Sequence, residues 1–137
     1  MIVYGQRVID FVCKTNGTEP SFKSTAIGIE KNGEIVGGIM YDNYFKSSIQ
    51  CHMSAKPGVK VWGSKDFIRA GFSYPFEQLK VKKLLGFVSE ENRKMCRLCE
   101  HLGFSCEHTI EQGFNGQPLR IYSMTREQCR FLGVANA

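Results

Sequence analysis

The sequence predicts an α/β protein built on one mixed sheet, and three features carry that expectation. Two β-rich runs meet at Asn32-Gly33, the strongest short hairpin signal in the chain. A third run, Ser47 to Ala55, alternates Ile49, Cys51 and Met53 with Gln50, His52 and Ser54, as a strand with two different faces does. From Ser64 onward helical and strand-like stretches take turns, an order that gives a mixed sheet flanked by helices.

Taken in order, Val3, Tyr4, Val8, Ile9, Phe11 and Val12 fit a short amphipathic helix closed by Asn16-Gly17. Thr18 to Thr25 contains Pro20 and is expected as a loop. Ala26 to Glu30 is the first strand and Glu34 to Tyr44 its partner, with Gly37 and Gly38 predicting a bulge or a close approach by another part of the chain. Lys56-Pro57-Gly58 ends the third strand. Ser64 then caps a long helix reaching Leu79, whose core stripe is Phe67, Ile68, Gly71, Phe72, Phe76 and Leu79, and which Pro75 should kink or shorten.

The stretch from Lys82 to Phe104 organises the rest. Lys82 to Val88 is a short apolar run that reads as a buried strand. Ser89 and Asn92 can cap the helix that follows, and Glu90 and Glu91 suit the positive end of its dipole. Met95, Leu98, Cys99 and Leu102 form its apolar stripe; Gly103 stops it, and Phe104 can fold back on the last turn. Ser105 to Ile110 and Leu119 to Met124 are strands around a Gly113–Pro118 loop, and Thr125 to Leu132 is expected as one or two helical turns capped by Thr125.

At 137 residues, residues 1–137 make a single domain with a core of its own. A hydrophobic fraction of 42% and a charged fraction of 23% place the chain among soluble globular proteins and away from disordered ones. No apolar run approaches the length of a membrane span and no signal-like start is present, so the expectation is a cytoplasmic protein without membrane attachment. The six cysteines are then expected as free thiols rather than a disulfide frame. A net charge of +5 suits an anionic partner without naming it.

Asn92, the spacing to Leu98 and the ending Glu100-His101-Leu102-Gly103-Phe104 resemble the acetyl-CoA-binding end of the GNAT superfamily of N-acetyltransferases. The order of elements from Ala26 onward is similar to that fold, which implies a central twisted, mostly antiparallel mixed sheet flanked by helices. More narrowly, Trp62-Gly63-Ser64 before Asp66-Phe67, Tyr74-Pro75-Phe76-Glu77-Gln78-Leu79, and the run from Ile121 to Cys129 resemble small GNAT proteins carried by bacteriophages and prophages.

The resemblance implies an acetyl-CoA-dependent transfer of an acetyl group to a primary amine, on a small molecule or a protein, directly within a ternary complex. Its phosphate loop overlays on Lys60-Val61-Trp62-Gly63-Ser64-Lys65; Lys65 departs from the small residue of the pattern. Lys60, Gly63, Ser64, Lys65, Asn92 and Met95 are therefore expected on acetyl-CoA, with His52, Met53 and Ser54 along the pantetheine arm. A lysine-like amine with pKa near ~10.4 is almost wholly protonated at neutral pH and must lose that proton to react. His52 is the candidate base, because histidine ordinarily titrates nearest neutral pH; Glu30 or Glu34 acting through water is the other option. Where the family places a tyrosine to protonate the departing thiolate this chain has Cys99, a position equally suited to packing, and Tyr122 or solvent is an alternative acid. The acceptor stays unidentified, its surface falling to the Thr18–Ser24 loop and the Gly113–Pro118 tip, and self-association into a homodimer stays open.

Three other readings compete. Cys96, Cys99, Cys106 and His108 have zinc-like spacing, but a continuous helix with only Cys99 on its buried stripe presents them badly, so no metal is expected. Lys80, Lys82, Lys83 and Arg93, Lys94, Arg97 are basic clusters without interleaved aromatics, which disfavours a nucleic-acid-binding module. A GNAT fold that binds acetyl-CoA without catalysis is the third, favoured by Cys99 standing where a tyrosine is usual.

Overall fold

The computed structural model describes residues 1–21 and 23–132. Its elements run β1 (Ile2–Tyr4), α1 (Gln6–Asn16), β2 (Thr25–Lys31), β3 (Glu34–Asp42), β4 (Ser48–Ala55), α2 (Lys65–Ser73) with a π-helical turn (Tyr74–Gln78), β5 (Lys83–Ser89), α3 (Arg93–Leu102), β6 (Ser105–Phe114) and β7 (Gln117–Thr125). The seven strands form one sheet in the order β1-β2-β3-β4-β5-β7-β6. Only β4 and β5 are parallel neighbours; every other pair is antiparallel. The expected mixed, mostly antiparallel sheet is thus present.

The hairpin at Asn32-Gly33 has positive φ at both positions, 51° and 82°, the backbone a two-residue loop needs to follow the strand twist. Opposite it the register jumps between Ile29 and Glu30, leaving Val36 unpaired as a bulge next to Gly37. Gly28 and Gly38 lie side by side in the ladder under α1, and a Cβ on either would come within 2.8 Å of Val8. These glycines therefore let α1 lie close on the sheet, where Val8, Ile9 and Val12 bury against Ala26 and Met40.

The opposite face carries the larger core. Phe67, Ile68 and Phe72 of α2 and Cys96, Cys99 and Leu102 of α3 pack there on Ile39, Tyr41, Ile49, Cys51 and Leu84. Gly71 sits so near Ile39 that a Cβ would lie 2.5 Å from its Cδ1, and its carbonyl accepts a hydrogen bond from the Tyr41 hydroxyl. Asn92 caps α3 by accepting from the Met95 N–H at 3.2 Å, and Gly103 closes it at φ 110°.

Four expectations need correction. The chain opens with strand β1 before α1, because Ile2 to Tyr4 pairs with the edge of β2. The helix from Ser64 does not continue evenly to Leu79: Pro75 has no N–H, and the backbone widens to a π turn in which Leu79 donates to the Tyr74 carbonyl. Both Cys96 and Cys99 are buried on α3, while Met95 and Leu98 are only partly so. After β7 the chain makes hydrogen-bonded turns rather than a helix, with Thr125 Oγ1 accepting from the Gln128 N–H at 3.2 Å.

Candidate active site

β4 and β5 pair over only three positions, Ser48 with Lys83, Ile49 with Leu84 and Gln50 with Leu85. Beyond that point β4 stays bonded to β3 as far as Ala55, and β5 stays bonded to β7 as far as Ser89. Each strand follows its outer neighbour, and the two part into a wedge. The Lys56 N–H donates to Val36 of β3 at 2.8 Å. Backbone groups alternate sides along a strand, so Met53 and Ala55 direct theirs away from β3 and into the gap. The Asn16 side chain confirms the direction by donating to the Met53 carbonyl from outside the ladder, at 3.3 Å.

The two faces of the wedge differ. Toward α2 and α3 it is filled: Cys51, Leu84, Val88 and Cys99 are all in the core. Toward α1, the ladder places His52 and Ser54 with Met40 and Gly38 on one side of the gap. Continuing the β4–β5 register places Phe87 across from His52.

His52 Nε2 lies 2.9 Å from Asp42 Oδ1, with side-chain exposures of 20% and 4%. The sheet sets this pair: Met40 faces His52 and Asp42 faces Gln50, making Asp42 the diagonal neighbour of His52 on the same face. An ionised carboxylate only accepts, so Nε2 donates to Asp42, and in the neutral imidazole this leaves the lone pair on Nδ1. Asp42 was absent from the sequence-based candidates. A carboxylate inside an expected strand, with a histidine on the next strand, was the signal for it.

Ser54 is 2% exposed, and its hydroxyl has no hydrogen-bond partner among the described residues. Burying an unmatched hydroxyl is unfavourable by roughly 1–3 kcal/mol, so a hydrogen-bonding partner brought to this group would be favoured. At the start of α2 the Ser64 hydroxyl accepts from Phe67 at 3.4 Å. Gly63 and Lys65 are exposed, and a Cβ at Gly63 would meet nothing within 4 Å. The helix end is open, and Lys60 and Lys65 offer positive charge beside it. Asp66, in the first turn, opposes an anion there.

Other candidates fall elsewhere. Cys99 is fully buried, and burial pushes its thiol up to about 12, a packing environment rather than that of a proton donor. Tyr122 is also buried and on the α3 side; its hydroxyl donates to Glu100 at 2.8 Å and accepts from Arg120 at 2.9 Å, and burial raises its pKa. Asn92 uses its carbonyl oxygen as the α3 cap, and Met95 packs against the core. Glu30 is tied to Arg7 at 3.0 Å and Glu34 to Lys56 at 3.2 Å, both carboxylates standing by the β2–β3 turn. Cys106 is exposed on β6, apart from the buried pair on α3. Of the acceptor loops, the tip joining β6 to β7 is exposed, and position 22 of the Thr18–Ser24 loop lies outside the described residues. A cavity of about 720 Å³ sits at the other edge of the sheet, among Gln6, Ile9, Thr25, Asp66, Arg69 and Tyr74; Ser24 of the expected acceptor loop lines it, and the residues expected on acetyl-CoA and the candidate bases and acids do not.

No protein-family model and no curated protein sequence matches the chain. Solved structures do. A mutant of the spermidine N-acetyltransferase SpeG from Vibrio cholerae superposes with a TM-score of 0.74 at 17% identity, over 98% of this chain and 97% of that one. The dodecameric form of the same Vibrio cholerae enzyme in an intermediate state gives 0.72 at 18% identity, covering 93% and 94%. The fold is that of the GNAT acetyltransferases. At such identities the likeness establishes the GNAT architecture and leaves the chemistry to the residues described above. Among the described residues no helix is long and apolar enough to cross a membrane.

Proposed function

We propose that this chain is an acetyl-CoA-dependent N-acetyltransferase that acts on a primary amine by direct transfer in a ternary complex. The observation that carries the reading is the parting of β4 from β5 beyond Gln50 and Leu85, which leaves inward-directed backbone groups on β4. The orphaned Ser54 hydroxyl in the same wedge and the open start of α2 fit a pantetheine arm and its diphosphate. Gly63, Ser64, Lys60 and Lys65 would hold the phosphates. Met53 and Ser54 would line the arm, and Asn92 and Met95 the far wall at the start of α3.

The chemistry follows from the open face. On the α2–α3 side the core fills the sheet and the starts of both helices are given to acetyl-CoA, so the amine arrives beside His52. His52 Nδ1 removes a proton from the amine while Asp42 holds the ring, Asp42 being a positioning residue. The amine nitrogen forms its bond to the thioester carbon as the carbon–sulfur bond breaks, and the thiolate takes its proton from solvent. Inward-directed N–H groups of β4 stabilise the charge on the carbonyl oxygen, usually the largest catalytic contribution. SpeG acts on spermidine; the present chain shares the general amine chemistry in this reading. Cytoplasmic location and self-association are parts of the same proposal. Calorimetric titration with acetyl-CoA, followed by mass spectrometry of an amine panel, tests it: one site per chain and a product heavier than the amine by one acetyl group in place of a hydrogen are expected, and absence of acetyl-CoA binding contradicts it.

A further inference from the structure

The face of the sheet that carries His52 is covered unevenly. α1 packs on β2, β3 and β4, and its apolar residues meet Ala26 and Met40. Across the wedge, the same face of β5, β7 and β6 keeps large apolar side chains in solvent: Phe87 is 42% exposed and Ile110 39%. The ladders join these into one surface. Phe87 pairs with Ile121, Leu85 with Ser123, and Ile110 with Leu119, and partners in a ladder share a face. The strip of Phe87, Ile121, Leu119 and Ile110 is therefore continuous and begins across the gap from His52.

Its charges are already matched. Lys83, two residues before Leu85 on this face, is bonded to Glu107 at 2.8 Å, and Asp42 is bonded to His52. None of the β5 and β7 residues that register places on this face is a carboxylate. A polycation would meet two carboxylates, Asp42 and Glu107, each already engaged, in a chain of net charge +5, whereas an amine with an apolar body would place that body on Phe87 and its nitrogen at His52.

We infer that the acceptor is a primary amine carried on an aromatic or branched apolar body, which lies on the Phe87–Ile121–Leu119–Ile110 strip. The inference rests on the transferase reading and narrows its substrate class. A flat pairing with a second copy suits this region less well, because β6 is bulged twice, between Cys106 and His108 and between Ile110 and Phe114, with Gln112 at φ 57°.

The test is steady-state kinetics of the full chain with acetyl-CoA, using 2-phenylethylamine and spermidine as probes. Expected is a kcat/KM at least about tenfold higher for 2-phenylethylamine, the scale on which apolar contacts discriminate. Phe87→Ser should remove most of that advantage, chiefly through KM. Ile110→Ser, at an exposed position that tolerates polarity, should reduce it in the same direction. Phe45→Ser alters an aromatic that is 70% exposed on the β3–β4 loop and should leave the preference as it is. Preference for spermidine, or a preference indifferent to Phe87→Ser and Ile110→Ser, overturns the inference while leaving acetyl transfer standing. So does a change of oligomeric size in those variants with unchanged preference, which would make the strip an interface between copies. Failure of the unaltered chain to bind acetyl-CoA removes the transferase reading and the inference together.

Discussion

β4 presents two unlike faces. Cys51 and Met53 point into a core sealed by α2 and α3, while His52 stands one residue away on a face that is open beside the wedge. The alternation of a single strand thus separates a stabilising surface from a reactive one. Burial explains the assignment: thiols and phenols on the packed side are held protonated, whereas the imidazole on the open side has a carboxylate partner and reach to an incoming amine.

His52→Gln breaks the comparison most severely. It should lower kcat by about two to four orders of magnitude, the usual contribution of a positioned base, while the unfolding midpoint changes little. Asp42→Asn should lower kcat less, and His52→Gln on top of it should add less than the product of the two effects, since both act on one ring. On the packed side, Leu102→Ala should remove about 2–5 kcal/mol of stability in urea unfolding, with acetyl-CoA affinity kept in the folded fraction. Asn92→Ala should remove about 1 kcal/mol, the value of a lost helix cap.

Much of this architecture was legible in the chain. Asn32-Gly33 demanded positive φ twice, the α3 stripe lay between a cap and a stopping glycine, and β4 alternated cleanly. What escaped depended on register or on length. Three residues of β1 are too few to display a period. Asp42 became a partner for His52 only through the diagonal that the β3–β4 ladder sets. Phe87 lay inside an apolar run that reads as wholly buried, although α1 stops short of its face. Conversely, Cys99 and Tyr122 were nominated by position or chemistry, and their burial on the α3 side became visible only with the packing.

A smaller effect separates the faces by pH. Burial raises Cys99 from 9.0 to about 12, and it raises Cys51 as well. The unfolded chain therefore loses these protons first: this contribution to stability is complete below pH 9 and fades as pH rises toward 12. Alkaline unfolding curves should follow that slope. A thiol reagent at neutral pH should label exposed Cys106 well before Cys51 or Cys99.

The most direct test of the wedge is amide hydrogen exchange with and without acetyl-CoA. New protection at Met53 and Ala55 on β4, together with Lys65 and Asp66 at the start of α2, is the expected result. Protection confined to the cavity between α1, β2 and α2, or unchanged exchange along β4 under saturating acetyl-CoA, would contradict the account.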